Sequence, residues 1–227
     1  MHRPLTLPPG RAALLLIDLQ EEHRRDPRYL VDGYGQVLAN AKRLLDAART
    51  AKSPVIHAAY QRDFTKVPRR AFEPVGDGGT PLFSDPDSPM TAICLEVGPR
   101  PDEPLLTKND ASCFTEPEFR GMLWDIAPEW LIIAGVWTEA CVGHTVWDAV
   151  GQGYRVLLVK DACGSGSAAM HQSALIHLAN RLHGGGVVST DDAVALIEGK
   201  TREVWQLVGS TPLRFRAETI GQVYDSI

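Results

Sequence analysis

Leu131-Ile132-Ile133-Ala134-Gly135-Val136-Trp137-Thr138-Glu139-Ala140-Cys141-Val142 is the stretch on which the reading of this chain turns. Its apolar opening, closed by a glycine, predicts a buried strand ending at Gly135. Beyond it His144, Thr145, Trp147 and Val150 continue a helical pattern, so a helix is expected to begin close to Cys141. A cysteine at that point meets unpaired backbone N–H groups and the positive end of the helix dipole. Both favour thiolate over thiol, and the thiolate is the nucleophile.

Working outward, apolar runs alternate with helical patterns, the mark of a parallel sheet covered on both faces and hence of the α/β class. Strands are predicted over Ala12–Ile17, Pro54–Ala58, Pro104–Thr107, Trp130–Ala134, Tyr154–Val159 and Gly186–Val188. Helices are predicted over Tyr34–Ala51, Glu116–Leu123, Ser167–Leu182 and Asp191–Ile197. The Pro- and Gly-rich stretch 60–104 is too long for a plain connection and is expected to cover or shape a site. The whole chain, 1–227, is read as a single domain with a core of about 11–198 and an irregular C-terminal extension over 199–227, placed on the body or on a neighbouring subunit.

The chain has 227 residues, 44% of them hydrophobic, enough for one sizeable domain and short for two. A formal net charge of -5, with no Lys/Arg run interleaved with aromatics, argues against nucleic acid as a partner. The longest apolar run, Ala12–Ile17, is far short of the ~20 residues a membrane-spanning helix needs. Residues 1–11 carry three prolines and no apolar core of a secretion signal. Cys94, Cys113, Cys141 and Cys163 are widely spaced, without a CxxC pair. They read as free thiols of a cytoplasmic protein.

In open α/β sheets, ligands bind beyond the carboxyl ends of the strands. Asp18, Lys108 and Cys141 fall there independently, after the first, third and fourth predicted strands. A carboxylate can accept the thiol proton, and an ammonium favours the thiolate. Taken singly, Asp18 reads equally as a turn cap, Lys108 as a surface lysine and Cys141 as a buried thiol. Their coincidence is what points to a site.

With these residues in view the chain resembles the isochorismatase-like cysteine hydrolase superfamily. The resemblance rests on Ile17-Asp18-Leu19-Gln20, on Thr107-Lys108-Asn109-Asp110-Ala111-Ser112-Cys113-Phe114 and, most specifically, on the Gly135–Val142 segment. It implies a three-layer αβα fold around a six-stranded parallel sheet. It also implies a catalytic triad of Asp18, Lys108 and Cys141, a cis peptide between Val136 and Trp137, and an oxyanion hole of the Trp137 and Cys141 amides. Gln20, Phe114, Trp137 and Tyr60 are expected to bind substrate. Members are commonly oligomeric, so a homo-oligomer, dimer or tetramer, is expected.

Nicotinamidases of this superfamily bind a metal through an Asp-x-His and further His residues. Here the corresponding stretch, His57-Ala58-Ala59-Tyr60-Gln61-Arg62-Asp63-Phe64, holds one His, so neither metal nor cofactor is expected. His57 and His144 read as structural histidines, Arg62 as a surface arginine, and Cys113 and Cys163 as half-buried fillers. Gly164-Ser165-Gly166-Ser167 lacks a full phosphate-loop pattern and reads as a turn with a serine helix cap. The expected activity is hydrolysis of a C–N bond in a small non-peptide amide or ureido compound. Cleavage of a vinyl ether, as in isochorismatases, and a non-catalytic thiol sensor on the same fold stand beside it.

Overall fold

The computed structural model describes residues 1–209 and 212–227. One eight-stranded sheet runs through it in the order β1-β8-β7-β6-β5-β2-β3-β4. The strands are β1 His2–Leu5, β2 Ala12–Ile17, β3 Val55–Tyr60, β4 Leu105–Lys108, β5 Trp130–Val136, β6 Arg155–Gly164, β7 Gly186–Val188 and β8 Arg202–Trp205. Helices are α1 Glu22–Arg25, α2 Tyr34–Ala51, α3 Pro117–Ile126, α4 Gly143–Gly151, α5 Ala168–Ala179, α6 Thr190–Ile197 and α7 Ile220–Asp225. Among the described residues no helix is long and apolar enough to cross a membrane.

The six strands β2 to β7 are the expected parallel set. Two further strands correct the expected count: β8 adds antiparallel to β7, and β1 antiparallel to β8. The extension after residue 198 is therefore not irregular, since it supplies β8 and α7. Short, charged segments such as Arg202–Trp205 carry little periodic signal. Pro4 within β1 fits a sheet edge, where a missing N–H costs no ladder bond.

Each inner strand buries both faces, and successive side chains point to opposite sides. Leu14, Leu16 and Ile132 join the core beneath α2 and α6. Ala13, Leu15, Ile17, Leu131 and Ile133 join a second core, packed with Phe119 of α3, Val146 of α4 and Leu175 of α5. Residues Ile220, Val223 and Tyr224 of α7 pack against that same face. These layers fix β2, β3, β4 and β5 side by side, so their carboxyl ends form one rim.

At that rim β5 comes unusually close to β2. Gly135 has φ 137°, and a Cβ there would stand 2.1 Å from the carbonyl oxygen of Ile17. Only glycine fits, and the register between β5 and β6 shifts at this point. The Val136–Trp137 peptide that follows is cis. The expected helix start is a π-helical turn over Thr138–Val142, with Cys141 inside it and α4 continuing from Gly143. Such turns are uncommon and concentrate at functional positions.

Candidate active site

Asp18 follows β2 in the left-handed backbone region, with φ 52°. Its amide bonds to the Ala58 carbonyl, 2.9 Å away, which anchors the turn to β3. The carboxyl is buried, and Oδ2 pairs with Lys108 Nζ at 2.8 Å. Oδ1 is buried without a hydrogen-bond partner. Lys108, the last residue of β4, is wholly buried and also donates to the Asp110 carbonyl at 3.2 Å. Since β3 lies between β2 and β4, the lysine crosses it, its Nζ 4.9 Å from the Tyr60 ring centre.

Cys141 is half-buried, whereas Cys94, Cys113 and Cys163 are buried. Burial, followed by the negative charge of Asp18, pushes the Cys141 thiol above its ordinary range, with Lys108 pulling the other way. The expected resting thiolate is thereby corrected: desolvation penalises the anion more than the ammonium and the short turn favour it. Burial works to lower Lys108, but the negative charge of Asp18 works against it, and the ammonium is held above its ordinary range. The Trp137 carbonyl accepts from the amides of Ala140 and Val142, at 3.0 and 3.3 Å, and skips that of Cys141 between them.

A cleft of about 360 Å³ opens onto these groups, with Asp18, Tyr60, Trp137 and Cys141 in its wall. The 60–104 stretch adds Phe83 and Ser84, and the turn around α1 adds Glu22, His23, Arg28 and Tyr29. Tyr60 stacks on Phe83 with ring centres 6.3 Å apart. Trp137 is seated by Gly166, where a Cβ would stand 2.9 Å from the indole, and its Nε1 donates to His23 Nδ1 at 3.2 Å.

Two expected substrate contacts are not in the wall. Gln20 is fully buried and its amide is spent on backbone. It donates to the Tyr60 and Thr91 carbonyls at 2.9 and 2.8 Å, and accepts from the Tyr60 amide at 2.8 Å. Gln20 therefore bolts the end of β3 and the long loop to the Asp18 turn. Phe114 is buried in the second core, edge-on to Phe119 at 4.8 Å.

Arg62 is likewise no surface arginine: it is 1% exposed and fork-bonded to Glu73 through two 2.7 Å contacts. Cys113 and Cys163 are buried outright, more deeply than expected of fillers, and neither lines the cleft. His57 meets Glu103 at 3.0 Å and His144 the Ala140 carbonyl at 2.8 Å, both structural roles. Ser167 caps α5, its hydroxyl accepting from the Met170 amide.

Residues 12–192 match the family model described as Isochorismatase domain. Among curated relatives, a maleamate amidohydrolase from Pseudomonas putida is 26% identical over 195 residues, covering 81% of this chain and 85% of the relative. An N-carbamoylsarcosine amidase from Arthrobacter sp is 26% identical over 198 residues, with coverages of 83% and 72%. Among solved structures, an isochorismatase family protein from Burkholderia thailandensis superposes with a TM-score of 0.69 at 25% identity, covering 85% of this chain and 98% of its own. A cysteine hydrolase from Pseudomonas syringae shares the fold with a TM-score of 0.75 at 22% identity, covering 86% and 95%.

Proposed function

The chain belongs to the isochorismatase family, and we propose that it is a cysteine amidohydrolase cleaving the C–N bond of a small amide or ureido compound through a thioester on Cys141. The names of the P. putida and Arthrobacter relatives support C–N hydrolysis. The observation that carries the reading is the orphaned Asp18 Oδ1, buried at the foot of the cleft that Cys141 also lines. A buried acceptor without a donor costs stability, and a catalytic role is one reason for a fold to keep it.

In this reading Lys108 holds Asp18 ionised and oriented through Oδ2, leaving Oδ1 as the base. The thiol rests protonated. As the sulfur attacks the substrate carbonyl, its proton passes to Asp18, and the carbonyl oxygen becomes an oxyanion facing the Trp137 and Cys141 amides. Losing one such donor typically costs about 10²–10³ in rate. The tetrahedral intermediate collapses with rupture of the C–N bond, and Asp18 returns the proton to the departing amine. Water, deprotonated by the same carboxylate, then attacks the thioester; the acid leaves and the thiol is regenerated.

Screening ammonia release over ureido acids, simple amides and biuret-like compounds, with Cys141→Ala and Cys141→Ser alongside, tests the reading. The expected result is turnover by the parent chain alone, with an acyl adduct on Cys141 trapped by acid quench and located by mass spectrometry. Undiminished hydrolysis by the alanine variant, or pyruvate release from an enol ether without any ammonia-releasing substrate, overturns it.

A further inference from the structure

Glu22 stands in the same cleft as Asp18 and Cys141, and the triad chemistry leaves it unused. Its residue is 5% exposed, yet among the described residues the only hydrogen-bond donor on its carboxyl is one hydroxyl, Ser84 Oγ, at 2.8 Å from Oε1 and 3.1 Å from Oε2. An ionised carboxylate can accept about four such bonds, so most of its capacity is unfilled. His23 Nε2 stands 3.9 Å from Oε1, and burial holds that imidazole below its ordinary pKa and so neutral. Buried carboxylates are normally matched by several donors or by a cation.

The cations near the cleft are already claimed. Arg28 forks onto Asp26 at 3.0 and 2.6 Å and gives its remaining nitrogen to the Leu82 carbonyl at 3.2 Å. Lys108 is buried beneath Tyr60 and held by Asp18. Among the described lining residues, a carboxylate on the substrate would find no unmatched positive charge and would face the charge of Glu22. A substrate carrying N–H donors would instead complete its shell.

We propose that Glu22 is the specificity-determining residue of this cleft, accepting hydrogen bonds from substrate N–H groups, so that the preferred substrates are neutral or cationic amides and ureas and not carboxylate-bearing ones. This rests on the cleft being the catalytic pocket proposed above. Burial pushes the free Glu22 carboxyl up to about 7, which a bound donor would pull back down.

Three ureas of matched size provide the test: N-carbamoylglycine, N-(2-hydroxyethyl)urea and N-(2-aminoethyl)urea. They are compared at about pH 8.5, where Glu22 is ionised, by kcat/KM on the parent chain and by titration calorimetry on Cys141→Ser. The expected order is cationic, then neutral, then anionic, spanning at least about tenfold, because like charges juxtaposed in a site cost several kcal/mol. Glu22→Gln should flatten that order, through KM and the dissociation constants. Glu22→Met is a second neutral variant should the first fold poorly. Tightest binding or fastest turnover of N-carbamoylglycine, or an order that survives both variants, overturns the proposal. Ordered binding without turnover would condemn the catalytic reading and leave the role of Glu22 standing.

Discussion

Lys108 reaches Asp18 over the top of an intervening strand, passing the Tyr60 ring and closing on Oδ2 at 2.8 Å, with both partners buried. The pair is therefore a structural tie between β2 and β4 as well as a chemical one. Breaking a buried pair from one side leaves a charge stranded and typically costs about 3–5 kcal/mol. Asp18→Asn and Lys108→Met should each lose about that much in urea denaturation, and the double variant distinctly less than the sum. Strict additivity would show that the two groups are not coupled.

Cys141 should alkylate slowly at neutral pH for a solvent-reachable thiol, because burial and Asp18 favour its protonated form. Removing the nearby negative charge with Asp18→Asn should speed iodoacetamide labelling at pH 7 while amide hydrolysis falls by about 10³ or more. Peptide mapping reports the site, since the other three cysteines are buried. Slower labelling in the asparagine variant would contradict the electrostatic assignment.

Glu22 gives the fold a pH dependence of definite sign. Its carboxyl, pushed up chiefly by burial to about 7, binds a proton more tightly folded than unfolded. Its contribution is complete below its ordinary value near 4.5 and is lost as pH rises through about 7. Glu22→Gln should accordingly stabilise the protein at about pH 8, by about 1–3 kcal/mol, with the gain vanishing near pH 4.5. Thermal melts across that range check it; a gain at acid pH instead would reverse the sign.

Gly135→Ala should be severely destabilising, by more than about 3 kcal/mol, because the added methyl meets the Ile17 backbone 2.1 Å away and no side chain can yield to admit it. Gly121→Ala, in α3 with nothing within 4 Å of its Cβ, is the control and should be neutral or mildly stabilising. Denaturation midpoints compare the two directly.

Residues at strand carboxyl ends were legible because two regularities point to them at once, a strand period and the place where such sheets bind ligands. Asp18, Lys108 and Cys141 are of this kind. Side-chain direction was not legible. Gln20 lies two residues beyond Asp18, but the left-handed turn at Asp18 swings it into the backbone of β3. Phe114 follows Lys108 closely in sequence and faces the core. Phe83 and Ser84 belong to a loop without periodicity, and Glu22 sits in a run of charges, Glu21-Glu22-His23-Arg24-Arg25, that carries no apolar pattern to mark a buried side. Tertiary folding buries Glu21, Glu22 and His23 and leaves the two arginines exposed.

The outer ladder joins His2–Leu5 to Arg202–Trp205, segments separated by nearly the whole polypeptide. Closing so wide a loop gains its contacts only after the inner strands are assembled, and such non-local pairings form slowly. The β1 amides that bond to β8 should thus be the last in the sheet to gain protection from solvent hydrogen during refolding and the first to exchange in the native protein, leaving the six-strand centre and the rim that carries Asp18 and Lys108 intact while the margin breathes.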